Sequence, residues 1–444
     1  MSAVAAAQSA ASNCDVFVLG GGPAGSTIAA LLAERGWNVV IAEKERHPRF
    51  HIGESLLPMN LPMLDRLGVR EQVARVGMIK YGAEFTSPQH GAPVTLNFSN
   101  AWDKAFPHSY EVHRSVFDHI LFSNCVARGA HEFEQCRVTG VEFPSGEDVR
   151  VRAAPKEGGV REWRARFFVD ASGRDTFLAN RFGIKQRNSR HNSAAIYGHF
   201  KGARRLPGRE EGNISIFWFE HGWFWFIPLI DGATSIGAVC WPYYMKTRKT
   251  EPAQFLLDTI ALCPTLAERM RDAELISEVT ATGNYSYQAE RMAGERYILL
   301  GDAFAFVDPV FSSGVMLAMN SAFLGADAVD ASLRDPGTAD AALRKFDENV
   351  RTAVSEFSWF IFRMTNPTIR DMFMGPRNLL RMEEALLSLL SGDLFRGTPI
   401  RWSLRAFKFL YYLNNLAHPW RSFNAWRLRK RALRDLRDES PAHT

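Results

Sequence analysis

The chain has 444 residues, which is too long for one average domain and indicates a large α/β enzyme core with a second region attached. Hydrophobic residues make up 46% and charged residues 23%, which is an ordinary globular balance. The net charge of +5 gives no indication of a nucleic-acid partner, and because no apolar run reaches about eighteen residues, we expect no transmembrane segment.

The cysteines and the N-terminus indicate where the protein works. No CxxC pair and no metal-ligand spacing connects the cysteines, which are Cys14, Cys125, Cys136, Cys240 and Cys263. We therefore expect a reducing, cytoplasmic location and no structural metal. Residues 1–13 are small and polar and contain no Lys or Arg, which fits a disordered tail better than a signal peptide.

The first predicted elements form a βαβ unit. Residues 16–19 are a short apolar strand that is followed at once by glycines. Residues 26–34 have the pattern of a helix, and residues 39–42 form a second strand that Glu43 closes.

Two more buried strands are predicted far along the chain, at 166–169 and 297–300, and each precedes an acid among small residues. A helix is predicted at 115–126. Strand-then-glycine signals this far apart predict one nucleotide-binding domain assembled from distant segments.

The middle of the chain has a different pattern. Residues 195–204 and 213–241 alternate polar and apolar side chains with aromatic runs, which predicts an antiparallel sheet lying over the first domain. The last quarter is predicted to form short helices separated by Pro367, Pro376, Pro399 and Pro419. The predicted division is a core over 14–350 built from segments 14–190 and 290–350, an inserted sheet at about 191–289, and a helical region over 351–444.

A glycine motif lies between the first strand and its helix. Glycine is needed where the turn is tight, where backbone approaches a pyrophosphate and where the helix packs on the strand, and the helix N-terminus presents its amides to phosphates. Glu43, eighteen residues after the motif, is placed to accept hydrogen bonds from a ribose. The predicted dinucleotide-binding turn consists of Gly20, Gly22, Pro23, Ala24 and Gly25.

With a second site, this motif resembles a known pattern. Gly301 and Asp302 follow a strand and place a carboxylate where a ribityl chain can bond, as in the FAD-binding pattern of the aromatic hydroxylase superfamily. Arg114, in VHRSVFD, resembles the arginine that lies near the flavin there, with a surface arginine as the alternative. The resemblance implies an α/β class: a Rossmann-like FAD-binding domain of aromatic hydroxylase type, an antiparallel-sheet substrate domain and a helical C-terminal region.

Three stretches resemble the flavin-dependent halogenases, and the phenol and pyrrole branch more than the tryptophan branch. WFWFIP at 223–228 matches the family motif WxWxIP, while FHIGESLLP at 50–58 and FVDPVFSSGV at 306–315 resemble segments beside the flavin. In a strand, Trp223 and Trp225 share one face and the two phenylalanines the other. The resemblance implies that the tryptophans separate flavin from substrate, whereas we expect the phenylalanines to be core.

The same resemblance implies a halide site. A helix is predicted over 315–328, and free amides at its start attract anions. The halide is expected at Ser313 and Gly314, with Gly314 and Val315 also against the cofactor, and a simple cap by Ser312 or Ser313 is compatible with this. Asp308 is expected either to touch the flavin ring or to cap the turn locally.

Lys80 matches the place of the family's catalytic lysine. It stands in IKYGAEF at 79–85, an apolar setting, where burial would lower its pKa. Its amine is expected to hydrogen-bond hypohalous acid or to form a haloamine with it; the alternative is a solvated surface lysine. Unlike tryptophan halogenases, the chain has Phe311 where a glutamate is expected, so the general base is unassigned, with Glu84 and Glu111 as candidates.

The implied enzyme takes FAD as FADH2 from a separate flavin reductase. It uses oxygen and chloride or bromide, through a flavin hydroperoxide and hypohalous acid, to halogenate a phenolic or pyrrolic substrate that is free or tethered to a carrier protein. Three alternatives remain: an NADPH-dependent aromatic hydroxylase of the same fold, to which the DASG segment at 170–173 also points; a geranylgeranyl-reductase-like flavoprotein; and a non-catalytic flavoprotein.

A basic stretch near the C-terminus has seven Lys or Arg residues and one acid between positions 421 and 437. It is either a solvated helix face or a docking surface for an acidic partner, such as a carrier protein, or for an anionic surface.

Overall fold

The computed structural model describes residues 11–188, 191–283, 286–375 and 378–434. The predicted disordered tail falls outside the described residues up to residue 10. Ser12 and Asn13, which the prediction placed in the tail, instead pair in register with Trp163 and Arg164. The tail prediction is wrong at these positions, because the neighbouring strand offers its backbone hydrogen-bonding groups over the whole length of the first strand.

In chain order, the strands of the described residues are β1 (Ser12–Leu19), β2 (Val39–Ala42), β3 (Gly77–Lys80), β4 (Gly82–Thr86), β5 (Val94–Asn97), β6 (Ser109–Val112), β7 (His131–Phe133), β8 (Cys136–Glu142), β9 (Val149–Pro155), β10 (Arg161–Asp170), β11 (Lys185–Arg187), β12 (Ala194–Lys201), β13 (Ile214–Phe219), β14 (Gly222–Pro228), β15 (Thr234–Cys240), β16 (Glu274–Leu275), β17 (Thr280–Thr282), β18 (Tyr287–Ala289), β19 (Ala293–Gly294), β20 (Tyr297–Leu299) and β21 (Ala305–Phe306).

The α-helices of the described residues are α1 (Pro23–Glu34), α2 (Asn60–Leu67), α3 (Arg70–Val76), α4 (Arg114–Ala127), α5 (Phe177–Arg181), α6 (Pro242–Met245), α7 (Pro252–Ala261), α8 (Pro264–Arg269), α9 (Gly314–Arg334), α10 (Ala339–Ile361), α11 (Pro367–Met374), α12 (Met382–Leu390), α13 (Arg401–Ala417) and α14 (Pro419–Arg434).

The predicted nucleotide-binding unit is built around β1. This strand pairs in parallel with β2 on one side and β10 on the other, and β10 pairs in parallel with β20, so segments almost 300 residues apart form one sheet. Val16, Phe17 and Val18 have no exposed surface. A parallel strand in the middle of a sheet is buried on both faces, which explains the unbroken apolar run that predicted it.

Helices α1, α4, α9 and α10 pack beside this sheet. The predicted helix at 26–34 is confirmed as α1, which begins earlier, at Pro23, because proline is favoured in a first helical turn. The predicted boundary between residues 350 and 351 is wrong, since it falls inside α10. Phe346, Val350 and Phe357 are buried at helical spacing across that boundary, so one helix face continues through it.

The second sheet has the order β16-β12-β15-β14-β13-β4-β5, and β17 also pairs with β12. The insertion predicted at 191–289 supplies most of it, but β4 and β5 come from the first quarter of the chain, and β4 runs parallel to β13. The predicted boundaries are therefore wrong here, whereas the strands within the insertion pair antiparallel as predicted. Asn213 secures the join, because its side-chain oxygen accepts hydrogen bonds from the amides of Tyr81 at 2.8 Å and Gly82 at 2.9 Å.

Strand β14 separates two cores. Trp223 and Trp225 belong to the core shared with the parallel sheet, whereas Phe224 and Phe226 belong to a second core that α7 completes with Leu256. The alternation predicted from the sequence is confirmed. One face of the second sheet therefore looks toward the nucleotide-binding unit and the other carries its own helices.

Candidate active site

A cavity of about 350 Å³ lies between the two sheets. Its lining includes the glycine turn after β1, Glu43, Arg114, the tryptophans of β14, Asp302 and the start of α9. The structure therefore brings together almost all of the predicted site residues, although they span nearly 300 positions. Gly25 and Lys80 are the exceptions, because neither lines this cavity directly.

The glycine turn is shaped by close backbone approach. Gly20 has a φ of +103°, and a Cβ there would lie 2.4 Å from the carbonyl oxygen of Ala171. A Cβ on Gly25 would lie 1.8 Å from the carbonyl oxygen of Gly20. At Gly22 the nearest atom would be a guanidinium nitrogen of Arg49 at 3.6 Å, so this position is open. No side chain caps the start of α1, which leaves its first amides available to an anion in the cavity.

Glu43 is buried and already holds the turn. Its carboxylate accepts hydrogen bonds from the amides of Gly21 at 2.8 Å and Glu45 at 2.9 Å. The Arg49 guanidinium lies 3.4 Å away. A carboxylate oxygen accepts more than one hydrogen bond, so a ribose hydroxyl can still be accommodated. The structure thus gives Glu43 a positioning role that the sequence did not reveal.

Arg114 is engaged with protein groups. Its guanidinium forms a two-pronged ion pair with Asp118, with hydrogen bonds of 2.8 and 3.1 Å, and donates to the carbonyl oxygen of Ile52 at 2.9 Å. Burial alone would raise the pKa of Asp118, but the Arg114 charge holds it below its ordinary value. Arg114 therefore anchors the segment 50–58 beside the cavity, and the alternative of a surface arginine is wrong because the side chain is buried.

Asp302 presents its carboxylate to the cavity. Burial raises its pKa to about 6, against the opposing charges of Arg174 and Arg114. Within the described residues, only its backbone oxygen is in a hydrogen bond, which it accepts from the Tyr287 hydroxyl at 2.8 Å. A carboxylate facing an enclosed space without a partner indicates a hydroxyl-bearing ligand.

Asp308 caps locally, which was one of its two predicted roles. It accepts from the Val310 amide at 3.2 Å and the Ser193 hydroxyl at 2.9 Å, and it lies 2.9 Å from a ring nitrogen of His191.

The start of α9 is open to the cavity. Neither Ser312 nor Ser313 caps the helix with its side chain, so the simple-cap prediction is wrong. Ser312 has a φ of +55°, and its hydroxyl donates to the Ser55 hydroxyl at 2.9 Å instead. The first amides, from Gly314 onward, therefore remain free for an anion.

Lys80 lies behind the cavity wall at the end of β3 and is only 1% exposed. Its amine is 2.5 Å from the Ser55 hydroxyl, which in turn contacts Ser312, and both serines line the cavity. A chain of polar groups thus connects the buried amine to the cavity. The alternative of a solvated surface lysine is wrong.

Glu111 is the second ionisable group at this position. It has no exposed surface, and one carboxylate oxygen lies 3.5 Å from the Lys80 amine. Burial raises the pKa of Glu111 to about 7, with the Lys80 charge opposing. Burial also lowers the pKa of Lys80, against the attraction of that carboxylate. Both shifts favour the uncharged pair, an amine beside a carboxylic acid.

Of the two candidate bases, Glu111 is thus beside Lys80, while Glu84 forms an ion pair with Arg269 at 3.0 Å. Ser55 received no role from the sequence. Strand β6 has the sequence SYEV, in which polar and apolar residues are mixed, so no local signal marked Glu111 as buried.

The tryptophans of β14 wall the cavity on the side of the second sheet. Both are buried, and their ring centroids are 6.1 Å apart. The Trp225 indole donates to the Ser235 hydroxyl at 3.1 Å, and Gly237 leaves space for its ring, since a Cβ there would lie 2.2 Å from it. The indole orientation is therefore set by packing and a hydrogen bond together.

Asp170 is the last residue of β10. Its buried carboxylate accepts hydrogen bonds from the amides of Ser172 at 2.9 Å and Leu178 at 2.7 Å. It does not line the cavity. The acid of the DASG segment therefore builds the turn, whereas Ala171, Ser172 and Gly173 of the same segment line the cavity.

The fold and the cavity define a flavoprotein with an FAD-binding domain. Residues 13–356 match the family described as FAD binding domain. The crowded glycine turn, the free amides of α1 and the unpartnered Asp302 carboxylate fit that cofactor at its pyrophosphate and ribityl parts.

Comparison with known proteins identifies the family. A flavin-dependent halogenase of Armillaria mellea is 34% identical over 377 residues, which is 79% of this chain and 73% of that protein. The 1H-pyrrole-2-carbonyl-[peptidyl-carrier protein] chlorinase of Pseudomonas fluorescens is 28% identical over 408 residues, 86% of this chain and 90% of that protein. The crystal structure of the myxobacterial chondrochloren halogenase has a TM-score of 0.77 at 33% identity, covering 86% of this chain and 90% of that one.

The chain belongs to the flavin-dependent halogenases. The predicted resemblance and fold class are confirmed, and the protein is an oxidoreductase with FAD as cofactor and a halide as co-substrate. No helix of the described residues is long and apolar enough to cross a membrane.

Proposed function

We propose that this enzyme halogenates an electron-rich aromatic ring of the phenol or pyrrole class with chloride or bromide. The observation that carries the proposal is the buried Lys80 amine, connected through Ser55 and Ser312 to the cavity that fits FAD. A separate flavin reductase would deliver the cofactor as FADH2. When bound, the reduced flavin supplies, with oxygen, the oxidising power that converts halide to hypohalous acid.

The chain's own residues divide the work. The amides at the start of α9, with Ser313 and Gly314, hold the halide, because a free helix N-terminus attracts anions. Trp223 and Trp225 keep the aromatic substrate away from the flavin compartment. The residues proposed to hold the cofactor are Gly20, Gly22, Pro23, Ala24, Gly25, Glu43, Arg114, Asp302, Gly314 and Val315.

Lys80 is the proposed catalytic residue. As a neutral amine it hydrogen-bonds hypohalous acid or reacts with it, forming an N–halogen bond and releasing water. The ring then takes the halogen, and the ring proton leaves, so the amine is restored. Burial of Lys80 supports this role, since a lowered pKa increases the fraction of neutral amine near neutral pH.

Glu111 is proposed as the proton acceptor of this pair. Phe311 stands where a tryptophan halogenase would have a glutamate, and Glu111 instead supplies a carboxyl group beside the Lys80 amine. The pKa of Glu111 is raised to about 7, so its carboxyl group is deprotonated only as the pH rises toward that value. A general base acts best when its pKa lies near the working pH. The pair therefore supplies the base that the sequence left unassigned.

Substitution Glu111→Gln tests this assignment. The removed carboxylate no longer stabilises the protonated amine, so the pKa of Lys80 falls further and the rising limb of the kcat/KM profile moves to lower pH by about one unit. The loss of the proton acceptor lowers kcat by about 100-fold. Initial rates of product formation between pH 5 and pH 9, roughly, measure both effects.

Glu84→Gln is the matched control, because it alters another buried glutamate in an ion pair. It should leave the position of the rising limb unchanged. An unchanged pH profile and kcat in Glu111→Gln would remove Glu111 from the proposed mechanism.

Product analysis tests the proposed function itself. The protein, a flavin reductase, NADH, FAD and a halide are incubated with a phenol or a pyrrole, and mass spectrometry detects the isotope pattern of chlorine or bromine. Halogenated product that requires both reductase and halide supports the proposal. NADPH oxidation without the reductase, with a hydroxylated product and no halide requirement, would establish the aromatic hydroxylase alternative.

We also propose that the substrate can be tethered to a carrier protein. The similarity to the Pseudomonas fluorescens chlorinase, whose named substrate is carried on a peptidyl carrier protein, supports this. Comparing a carrier-bound thioester with the free acid in the same assay decides it, and faster turnover of the free acid would contradict it. A cytoplasmic location is proposed in addition, because all five cysteines are buried free thiols.

A further inference from the structure

The C-terminal helices carry an unusual exposed surface. Large apolar side chains point outward from α13 and α14. Three of them are as exposed as charged residues usually are, namely Trp402 at 77%, Leu416 at 78% and Trp420 at 80%. We call the outward side chains of these two helices the aromatic–basic face. Its apolar members used below are Trp402, Phe409, Leu416, Trp420, Phe423 and Trp426.

Helix α13 is apolar on two sides. Leu404, Phe407 and Tyr411 are buried against the body of the protein. Trp402, Phe409 and Leu416 repeat every seven residues, so they form a separate stripe along the outward side. An apolar stripe that the part of the chain described by the structure leaves uncovered indicates a partner of low polarity.

The same surface is positive. Residues 401–434 contain nine basic and no acidic residues. Four of the basic side chains are exposed and form no ion pair with an acid among the described residues, namely Arg401, Arg405, Arg427 and Lys430, whereas Lys408 and Arg421 are paired with Glu356 and Asp371. The charges are mixed among the aromatic rings, since the Arg405 guanidinium lies 5.0 Å from the Trp402 ring and the Lys430 amine 4.6 Å from the Trp426 ring.

We propose that the aromatic–basic face binds the surface of an anionic lipid bilayer. Tryptophan prefers the boundary between lipid tails and headgroups, and each nearby Lys or Arg is attracted to acidic headgroups. Helices with Arg or Lys beside Trp, Phe and Leu lie in that boundary without crossing it. The proposal does not depend on the reaction proposed above.

Two protein partners fit the surface less well. A symmetric contact with a second copy would place the four cations that are unpaired within the described residues, Arg401, Arg405, Arg427 and Lys430, opposite four others, with no acidic residue in 401–434 to offset them. An acidic protein would match the charge, but protein interfaces keep charges out of their apolar centre and at the rim. Here cations lie directly over the rings of exposed tryptophans. A lipid can contact both, because its acidic headgroup pairs with the cation while its acyl chain contacts the ring.

The face lies across α10 from the cavity. Phe360 of α10 packs on Phe407 at 5.4 Å between ring centroids, and Trp359 packs on Tyr411 at 5.3 Å. Phe357 and Ile361 of the same helix line the cavity. A bilayer bound at α13 and α14 would therefore be separated from the cavity by one helix. Apolar aromatic molecules partition into a bilayer, so they would be concentrated close to the cavity.

Co-sedimentation of the full chain with vesicles tests the proposal. We expect binding to phosphatidylcholine vesicles that contain phosphatidylglycerol, weaker binding at high salt because the charges are screened, and at least about tenfold weaker binding to pure phosphatidylcholine. Absence of binding to the anionic vesicles at low salt would overturn the proposal.

Two variants separate the contributions. Arg427→Glu with Lys430→Glu should lower the affinity for anionic vesicles by about tenfold or more, and Trp402→Ser with Trp420→Ser by a similar factor. All four side chains are exposed, so the fold should be retained. Arg248→Glu with Lys249→Glu makes the same change of charge on another exposed segment and should bind like the unaltered protein.

Two results would assign the surface to a protein. One is that the variants bind vesicles normally but fail to bind an acidic carrier protein. The other is that the unaltered protein is dimeric by light scattering and the variants are monomeric. FAD affinity and halogenation of a water-soluble phenol should be the same in all variants, which keeps this test separate from that of the reaction.

Discussion

Halogenation is expected to fall by about 10³-fold when Lys80 is replaced by Met, while FAD affinity stays unchanged. Met has a similar volume and no amine, so the change removes the group that we propose to hold the halogen and leaves little empty space. Glu111 then stands alone, and because its pKa is already raised to about 7 by burial, it can remain protonated without a counter-charge. Halogenated product per minute, measured by mass spectrometry with saturating flavin reductase and halide, gives the rate.

The control is Lys201→Met, which alters an exposed lysine at the end of β12 and should keep full activity. In Lys80→Met the reduced cofactor should still react with oxygen, so oxygen consumption continues while product is lost. A variant that still forms product at more than a tenth, roughly, of the original rate would show that Lys80 is not the catalytic residue.

Gly25→Ala should weaken FAD binding by at least about 100-fold. The added methyl group would lie 1.8 Å from the carbonyl oxygen of Gly20, a contact between two backbone segments that no side-chain rotation relieves. The turn must open, and the amides of α1 then no longer converge on the pyrophosphate. Quenching of FAD fluorescence on titration with protein measures the dissociation constant.

Local unfolding could mimic a loss of binding, so a second variant isolates the ligand contact. Gly22→Ala places a methyl group 3.6 Å from its nearest protein atom, so the fold and the melting temperature of the apoprotein should be unchanged. FAD affinity should nevertheless fall, because the methyl group occupies space at the cofactor's approach. Gly140→Ala, which meets no atom within 4 Å, should change neither property. Unaltered FAD affinity in both Gly22→Ala and Gly25→Ala would place the cofactor elsewhere.

These two predictions concern the Lys80 cluster and the glycine turn, and the sequence predicted the turn more completely than the cluster. The glycine turn is contiguous, and its spacing expresses what one βαβ turn requires of the backbone. The predicted elements at 26–34 and 39–42 are confirmed for the same reason, since helix and strand periodicity are local properties. The two faces of β14 likewise followed from the alternation of side chains along a strand.

The cluster that we propose to be catalytic was only partly predictable from the sequence. Lys80 was predicted from its resemblance to the family, but its partners Ser55 and Glu111 lie 25 and 31 positions away. They meet Lys80 because β3 pairs with β6 and because Ser55 forms a bridge to Glu111. Pairing between separate strands is decided by burial and register over the whole sheet, for which a single sequence has no local marker.

By itself, the sequence determined the nucleotide-binding turn, the aromatic wall, the position of the lysine and the family. Only the tertiary structure decided that β4 joins the second sheet and that Glu43 and Arg114 form hydrogen bonds with protein groups. It also decided that Glu111 is buried in contact with Lys80. The physical reason is the range of the forces involved: backbone geometry and periodicity act within a few residues, whereas desolvation and ion pairing depend on which distant segments the fold brings into contact.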